Sequence, residues 1–378
     1  MFTIRILVKK KEPDRLRMLN SVQKKMKSYY IKVRNFVVKY ERHMSSAALI
    51  FGFILDNLTL RRVDLLVENL AIVGYLTVAA VCIIFLNLSG EAKIFGGFLK
   101  KIHPWLLIGM QFAFGGLFSA FLIFYSRSAS LASSWPFLAI LLAHLVGNEL
   151  SRKRYVRSAF QISVFYIAVF SYLIFLLPLV TGKISEGMFL LSGVASIAVI
   201  IVFYFLLRRL APIAIANSGR PIMFSILGIY VAVNFLYFAR FIPPIPLALK
   251  SAGVYDLIEK NSAGDYVLMK EERDWKDRLR LYPRIDVRQG EPVYAYSAIF
   301  APVNISIPVY HRWEYFDKTK NRWIESSLIR LDISGGRNEG YRTYSMKYAV
   351  FPSLWRVTIE TPSGHIIGRM KFFIRRLD

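Results

Sequence analysis

The sequence is short of the residues that cross-link small proteins or bind metals in them. Its 378 residues include a single cysteine, Cys82, which lies inside an apolar run. One cysteine excludes an internal disulfide framework and a cysteine-based metal site. Acidic side chains are also scarce, since 25 Asp and Glu stand against 50 Lys and Arg, and the formal net charge is +25.

The short motifs of the common catalytic chemistries are missing as well. The sequence has no glycine-rich phosphate loop with its lysine, no His-Glu-x-x-His pair, no nucleophile elbow and no paired histidines at ligand spacing. We therefore predict no metal and no cofactor, and no residue is assigned a catalytic role. An enzyme assembled from distant segments at a membrane surface stays open.

Long apolar runs are what the chain has in abundance. Hydrophobic residues make up 55% of it, and the mean hydropathy is +0.40 despite the high charge. A soluble protein of this charge is normally hydrophilic on average, so the apolar residues must be segregated. This pattern excludes intrinsic disorder and an ordinary soluble enzyme. It also argues against nucleic-acid binding, which needs the positive charge gathered on one folded surface.

Residues 1–45 predict a basic cytoplasmic segment. Apolar residues recur there at spacings of three and four, which predicts an amphipathic helix lying on an anionic membrane face. A coiled-coil seam for self-association is the alternative, although barely three heptads support it. The apolar stripe consists of Leu19, Val22, Met26, Tyr29, Val33, Phe36 and Tyr40.

Residues 46–242 predict a transmembrane helical region. Six of seven apolar runs suit a helix that crosses roughly 30 Å of hydrocarbon. The first run is short and contains Asp56, so a re-entrant hairpin is the alternative there. The runs are Ser46–Leu60, Asn69–Leu88, Trp105–Tyr125, Leu131–Leu150, Ile162–Val180, Met188–Leu207 and Ile222–Ala239.

The charge of the loops predicts the number of spans and their orientation. With seven spans, the loops on the side of the N-terminus carry ten Lys and Arg, and the opposite loops carry four. Basic loops are retained in the cytoplasm. We therefore predict a multi-pass protein of the inner (plasma) membrane, with a cytoplasmic N-terminus and a periplasmic C-terminus.

After a proline-containing linker at 243–252, residues 253–378 predict a small all-β, immunoglobulin-like sandwich. Three segments alternate apolar and polar residues with period two, as half-buried strands do: Ile305–Tyr315, Leu354–Thr361 and His365–Ile374. In the last of them the predicted buried set is Ile366, Met370, Phe372 and Ile374. Three more strands are predicted at Val293–Ala301, Trp323–Asp332 and Tyr341–Val350. A hairpin is predicted from Val254–Lys260 and Asp265–Lys270, followed by a short charged helix.

Four C-terminal motifs are distinctive: Gly335-Gly336-Arg337, Gly340-Tyr341-Arg342-Thr343-Tyr344-Ser345, Trp355-Arg356-Val357 and Ile366-Ile367-Gly368-Arg369. Together they resemble a bacterial family of membrane proteins known as domain of unknown function 2914. Upstream, Gly52–Leu60, Ser119–Ser128 and Asn148-Glu149 resemble its membrane part, so the resemblance covers most of residues 45–378. It implies a bacterial envelope protein with a small C-terminal domain. The family has no assigned activity and therefore implies no catalytic residue.

Ionisable residues in or beside the apolar runs are the first functional candidates, because a charge in hydrocarbon is costly unless it is paired or hydrated. One hypothesis is an ion relay in a transporter or channel. The other, which we favour, is a set of structural ion pairs at helix ends. His144 and Glu149 are five residues apart, so they point away from a common helix face. The candidates are Asp56, Arg61, Asp64, Glu68, His144 and Glu149.

In the C-terminal domain the loop Ser334–Arg342 is the strongest candidate for ligand binding. Its glycines permit positive φ, and Arg337 and Arg342 are suited to an anionic group. The alternative is a bulged hairpin whose arginines stack on Tyr341 or Tyr344. His311 is a weaker candidate, because the parity of its strand places it beside core residues, as a packed and hydrogen-bonded histidine.

These patterns predict a bacterial inner-membrane protein whose periplasmic β-domain binds an envelope ligand or a partner protein. The bilayer is its first partner, and no nucleic acid is expected. A transporter or channel that uses the intramembrane acids is the alternative. A membrane-embedded enzyme that acts on lipid-linked substrates is a less favoured third possibility.

Overall fold

The computed structural model describes residues 51, 54, 56, 58–59, 65–89, 96–128, 131–150, 158–216, 218–261, 266–269 and 282–377. Within these ranges, the side chains of 96–97, 99–100, 131–133 and 145–150 are not described. The predicted amphipathic helix, most of the first apolar run and the predicted charged helix after the hairpin lie outside the described residues. Those three predictions therefore stay predictions.

The described residues before the β-rich part form seven helices. Each of the last six predicted runs overlaps one of them. The last helix ends at Phe238, and prolines 243 and 244 lie beyond its end rather than at it. The helices are α1 (Leu66–Leu88), α2 (Gly96–Ser128), α3 (Leu131–Leu150), α4 (Ser158–Thr181), α5 (Glu186–Leu210), α6 (Pro212–Ala216) and α7 (Gly219–Phe238).

Five of these helices are long and apolar enough to cross a membrane, judged by length and composition within the described residues. They are α1, α2 from Lys101, α4, α5 and α7. In α3 the described apolar stretch is shorter and runs from Ser134 to His144. The helical region is thus confirmed as a set of long apolar helices, while the number of spans stays a prediction.

Helices α2 and α4 form the centre of the bundle. Most of the spanning stretch of each is buried, whereas α7 buries Ile222 and Tyr237 and leaves most of its surface open. Small residues allow the close approach: a Cβ on Gly116 of α2 would lie 2.7 Å from the ring of Tyr75 in α1. Close backbone approach at small residues is the usual way in which helices associate in membranes.

The remaining described residues form ten strands. They are β1 (Ala248–Tyr255), β2 (Leu257–Lys260), β3 (Tyr266–Met269), β4 (Arg284–Val287), β5 (Val293–Phe300), β6 (Ser306–Asp317), β7 (Arg322–Ser334), β8 (Tyr341–Lys347), β9 (Ser353–Glu360) and β10 (Ile366–Arg376). The six predicted strands and the predicted hairpin are all present.

Two sheets pack face to face and enclose two apolar clusters between them. The three-stranded sheet has the order β1-β5-β8, and the five-stranded sheet has the order β4-β10-β9-β6-β7. Pairing is antiparallel except between β4 and β10. Trp313 and Trp355 from the larger sheet meet Val293 and Ala295 from the smaller one in the core. The β2–β3 hairpin packs through Ile258 against Tyr296 on the outer face of the smaller sheet.

The structure corrects three details of the β-region. β1 begins at Ala248, inside the predicted linker, and it contains Val254, which was predicted to belong to the hairpin. β4 was not predicted, because four residues are too few to show a period. In β10 a bulge between Ile366 and Gly368 shifts the register, so Ile367 is buried in place of Ile366.

The β-domain rests directly on the ends of the helices. The ring of Tyr237 in α7 stacks on the ring of Phe189 in α5, with centroids 3.6 Å apart. The centroid of the Tyr237 ring is also 4.5 Å from that of His365. Gly182, at φ +68°, approaches the carbonyl oxygen of Asn304 so closely that a Cβ would lie 2.7 Å from it. These contacts fix the position of the β-domain relative to α4, α5 and α7.

Candidate functional site

His311 lies in the centre of the sandwich rather than at an accessible surface. It is fully buried on β6, and its Nε2 and Nδ1 lie 2.9 and 2.8 Å from the hydroxyls of Ser297 and Ser345. The Nε1 of Trp313 donates to the same Ser345 hydroxyl at 3.0 Å. Since Ser297 is on β5 and Ser345 on β8, this polar group joins the two sheets. Burial lowers the pKa of His311 to about 4, so the ring is neutral near pH 7.

The loop between β7 and β8 connects the two sheets, so the hairpin part of the alternative interpretation is wrong. A Cβ on Gly335 would lie 1.6 Å from the carbonyl oxygen of Pro302, and one on Gly340 would lie 2.9 Å from the backbone nitrogen of Ile299. The glycines therefore serve the close approach of two backbone segments. This packing accounts for them without a ligand.

The four residues predicted to bind a ligand do not come together. Arg337 lies over the ring of Tyr341, 4.9 Å from its centroid, as the stacking alternative predicted for one of the two arginines. Tyr341 packs against the core, whereas Arg342, the next residue of β8, lies on the outer face opposite Ala298. His311 is enclosed between the sheets. Of the four, Arg342 belongs to the outer surface described next.

The outer face of the three-stranded sheet carries a cluster of tyrosines. Val293 and Ala295 of β5 point to the core, so the alternate residues of this strand point outwards. The register places Tyr296 opposite Tyr344. The Tyr344 ring lies 5.8 Å from Tyr266 and 5.9 Å from Tyr294. We call this surface the tyrosine face, and it consists of Tyr255, Tyr266, Tyr294, Tyr296, Tyr344 and Tyr348.

Part of the tyrosine face is exposed beside an open sheet edge. Tyr348 is 56% exposed, Tyr344 is 37% exposed and the neighbouring Met346 is 38% exposed. Positive charge lies next to the rings. The Nζ of Lys260 is 5.8 Å from the centroid of the Tyr266 ring, and Arg342 is close enough to Tyr296 to interact with it electrostatically. Within the described residues β8 pairs with β5 alone. Tyr, Met and Arg are the residue types enriched at protein interfaces.

Sequence reasoning missed the tyrosine face. The signal was present in β5, where small or apolar residues alternate with Tyr294 and Tyr296. The alternation shows that one side of the strand is tyrosine-rich. It does not show that β8 and the hairpin bring further tyrosines to the same side.

The outer face of the five-stranded sheet differs, because its charges bind one another. Arg356 donates from Nη2 and Nε to Glu314 at 2.7 and 2.5 Å, and its guanidinium lies 4.3 Å from the centroid of Trp323. Arg312 pairs with Glu360 and with Glu325. These side chains form an internally paired layer, which favours a structural role for this face.

In the helical region, Asp56 is buried beside α1 and α2. Its Oδ1 accepts a hydrogen bond from the hydroxyl of Tyr75 at 3.2 Å. Oδ2 has no hydrogen-bond partner in the part of the chain that the structure describes. Glu68 is also buried. Arg61 and Asp64 lie outside the described residues, so the predicted ion-pair cluster stays a prediction.

Of the two candidates on α3, the structure describes the side chain of His144 alone. His144 packs against Phe118 with ring centroids 5.4 Å apart, and its Nδ1 lies 2.8 Å from the carbonyl oxygen of Ile140. Both contacts are those of a structural histidine. Glu149 lies in the last turn of α3, where side chains are not described. Among the described residues no group of three His, Cys, Asp or Glu is arranged to hold a metal ion.

A buried polar contact that the sequence did not reveal joins α1 to α4. The Nδ2 of Asn87 donates to the Oε1 of Gln161 at 2.8 Å, and the hydroxyl of Ser158 donates to Asn87. Neither Asn nor Gln is ionisable, so charge does not distinguish these two residues in the sequence. The contact fixes the ends of the two helices against each other.

Comparison with known proteins identifies the C-terminal domain alone. No curated protein matches the chain. The structure of Pseudomonas fluorescens alkylpurine DNA glycosylase AlkC bound to DNA containing an abasic site analog aligns at 12% identity over 82% of this chain and 98% of that one. Its TM-score of 0.21 is too low to support any inference. Residues 307–374, from β6 to β10, match the family described as Protein of unknown function (DUF2914). This match does not extend to the helical region, and it shows that the chain carries a C-terminal domain of the DUF2914 family.

Proposed function

We propose that this chain is a bacterial inner-membrane protein whose helices anchor an immunoglobulin-like β-domain on the periplasmic side, and that this domain binds a partner protein through the tyrosine face. Membrane insertion is supported by the surface of the bundle. Val202, Phe224 and Phe235, on α5 and α7, are each about two-thirds exposed. Large apolar side chains in such number are stable against lipid, while in water they would cause aggregation.

The proposed orientation is supported by the excess of basic residues in alternate loops. Cysteine labelling tests it well, because the only native cysteine, Cys82, is buried. We expect a membrane-impermeant maleimide to label intact cells that carry a cysteine at Thr319 in the turn between β6 and β7. A cysteine at Ser28 should react after permeabilisation only. Labelling of both positions in intact cells, or of neither, would refute the proposed topology.

The observation that carries the binding proposal is the exposed cluster of tyrosines beside the edge of β8 that no described strand pairs with. Aromatic side chains contribute large contact areas at a low entropic cost, and they dominate the energetic centres of interfaces. An open edge strand additionally presents unpaired backbone groups to an incoming strand. The outer face of the other sheet has an edge strand too, β7, but its charged side chains pair with one another and it carries no such cluster of tyrosines among the described residues.

Site-specific photocrosslinking in living cells tests this surface. We expect a photoreactive phenylalanine analogue at Tyr344 or Tyr348 to yield one discrete adduct of the same partner. The matched control is Thr319, which is also exposed but lies in the β6–β7 turn. The same adduct from Thr319, or no adduct from the two tyrosine positions, would contradict the proposal.

Transport is the second candidate, and Asp56 is the observation that favours it. A buried carboxyl group with one oxygen that has no hydrogen-bond partner among the described residues is costly in a structural role. If Asp56 belongs to an ion pathway, Asp56→Asn should abolish proton flux into proteoliposomes while leaving the amount of folded protein unchanged. Loss of the folded protein itself would instead support a structural role.

A further inference from the structure

A groove between α4 and α7 has a mixed polar and apolar wall. Its volume is about 780 Å³, which is within the range of small-molecule sites. Four serines line it, two in the first two turns of α4 and two just before or within the first two turns of α7, together with apolar residues such as Phe160 and Ile229. The serines are Ser158, Ser163, Ser218 and Ser225. A mixed lining of this kind suits a ligand that is itself partly polar.

The hydrogen bonds of the serines define which ligand groups fit. Ser163 donates to the carbonyl oxygen of Ala159 at 2.7 Å, and Ser218 donates to that of Ala214 at 3.4 Å. Ser158 donates to the side chain of Asn87. Because these three hydroxyls give their protons to the protein, their lone pairs are what they offer to a ligand. The groove therefore favours a ligand that carries hydrogen-bond donors.

A positive charge lies at the same end of α7 as the serines. Arg220 is exposed in the first turn of this helix, directly before Pro221, which lines the groove. A guanidinium group binds phosphate oxygens through paired, charge-assisted hydrogen bonds. The ligand is thus expected to carry a phosphate next to its donor groups.

An apolar groove continues on the other side of α7. It lies between α5 and α7, has a volume of about 540 Å³, and is lined by residues such as Ile201, Met223 and Leu227. The serine-lined groove includes Ser218 and the apolar groove includes Gly219, so both grooves reach the start of α7. An amphipathic molecule fits this arrangement, with its polar end among the serines and its chain along α7.

We infer that these two grooves bind one phospholipid whose headgroup carries hydrogen-bond donors. Its phosphate faces Arg220, its ethanolamine ammonium or glycerol hydroxyls face the serines, and an acyl chain occupies the apolar groove. This inference rests on the proposed insertion into a membrane. It is independent of the tyrosine face.

Binding of defined lipids to the purified full-length protein tests the inference. Native mass spectrometry in detergent compares phosphatidylethanolamine, phosphatidylglycerol and phosphatidylcholine with identical acyl chains. Phosphatidylcholine is the matched control, because its quaternary ammonium has no hydrogen-bond donor. We expect one bound phosphatidylethanolamine or phosphatidylglycerol, and about tenfold weaker binding of phosphatidylcholine. The stronger of the first two lipids identifies the headgroup, whereas equal binding of all three would overturn the inference.

Two substitutions locate the lipid. Gly228 lines the serine groove, and a Cβ there would meet no atom within 4 Å, so Gly228→Leu places a bulky side chain in the groove without a clash at its Cβ. Gly74 on α1 has the same open surroundings, which makes Gly74→Leu the control. We expect Gly228→Leu to reduce lipid retention about tenfold and Gly74→Leu to leave it unchanged.

Arg220→Gln should weaken binding of both donor-bearing lipids without affecting the fold, because Arg220 is exposed. Retention by Gly228→Leu and Arg220→Gln at the level of the unsubstituted protein would refute the site. Failure of membrane insertion itself would be seen beforehand, since the protein would then be recovered from the soluble fraction of cells.

Discussion

At the scale of single residues, burial decides which charges matter for stability. Glu314 is 8% exposed and receives two hydrogen bonds from Arg356, so neither charge is left unpaired. Arg356→Ala leaves the Glu314 carboxylate buried without this partner. We expect the free energy of unfolding to fall by about 3 kcal/mol, measured by urea denaturation of the full chain in detergent.

The neighbouring pair of Arg330 and Asp332 provides the control. Their side chains are 61% and 72% exposed, with a separation of 3.0 Å. An exposed pair contributes little because water solvates both charges, so Arg330→Ala should cost less than about 1 kcal/mol. Equal losses of unfolding free energy for Arg356→Ala and Arg330→Ala would contradict this difference between a buried and an exposed ion pair.

At the scale of elements, the crossing from β7 to β8 requires a close approach of two backbone segments. Gly335 leaves no room for a Cβ beside Pro302, whereas a Cβ on Gly336 would lie 3.7 Å from the nearest atom of Val303. Gly336 has a φ of +92°, so alanine there costs only the backbone strain of about 1 kcal/mol. We expect Gly335→Ala to destabilise the β-domain by at least about 2 kcal/mol more than Gly336→Ala, measured by thermal unfolding.

At the scale of the whole molecule, the joint between the two regions contains a buried histidine. Burial and the charge of Arg240 lower the pKa of His365 to about 4, against 6.5 for an unperturbed histidine. Between these values the unfolded chain binds more protons than the folded one. The free energy of unfolding should therefore fall as the pH drops from about 6.5 towards 4.

His365→Phe tests this pH dependence, because a phenyl ring retains the contact with Tyr237 and does not titrate. We compare the free energies of unfolding of the variant and the unsubstituted protein at each pH. The difference should shift by about 2 kcal/mol in favour of the variant when the pH falls from 7 to 5. His311 is present in both proteins, so its own titration cancels in the comparison. Parallel stability curves for the two proteins would show that His365 does not contribute.

The sequence alone was sufficient for features that depend on periodicity. The lengths of the apolar runs predicted the helices, and period-two alternation predicted the six strands and the hairpin. Both signals are local, since each residue faces the core or the surface according to its position in its own element. Short or irregular pieces such as β4 and the bulge in β10 have too few residues to carry such a signal.

Which residues meet across elements was decided by the tertiary structure. His311 and Arg342 were two separate candidates for ligand binding, and packing encloses the first between the sheets and places the second outside. The tyrosine face and the serine-lined groove each combine elements that are distant in the chain. Periodicity gives the direction of a side chain within its own strand or helix, but only the packing of the sheets and helices selects the neighbours that it contacts.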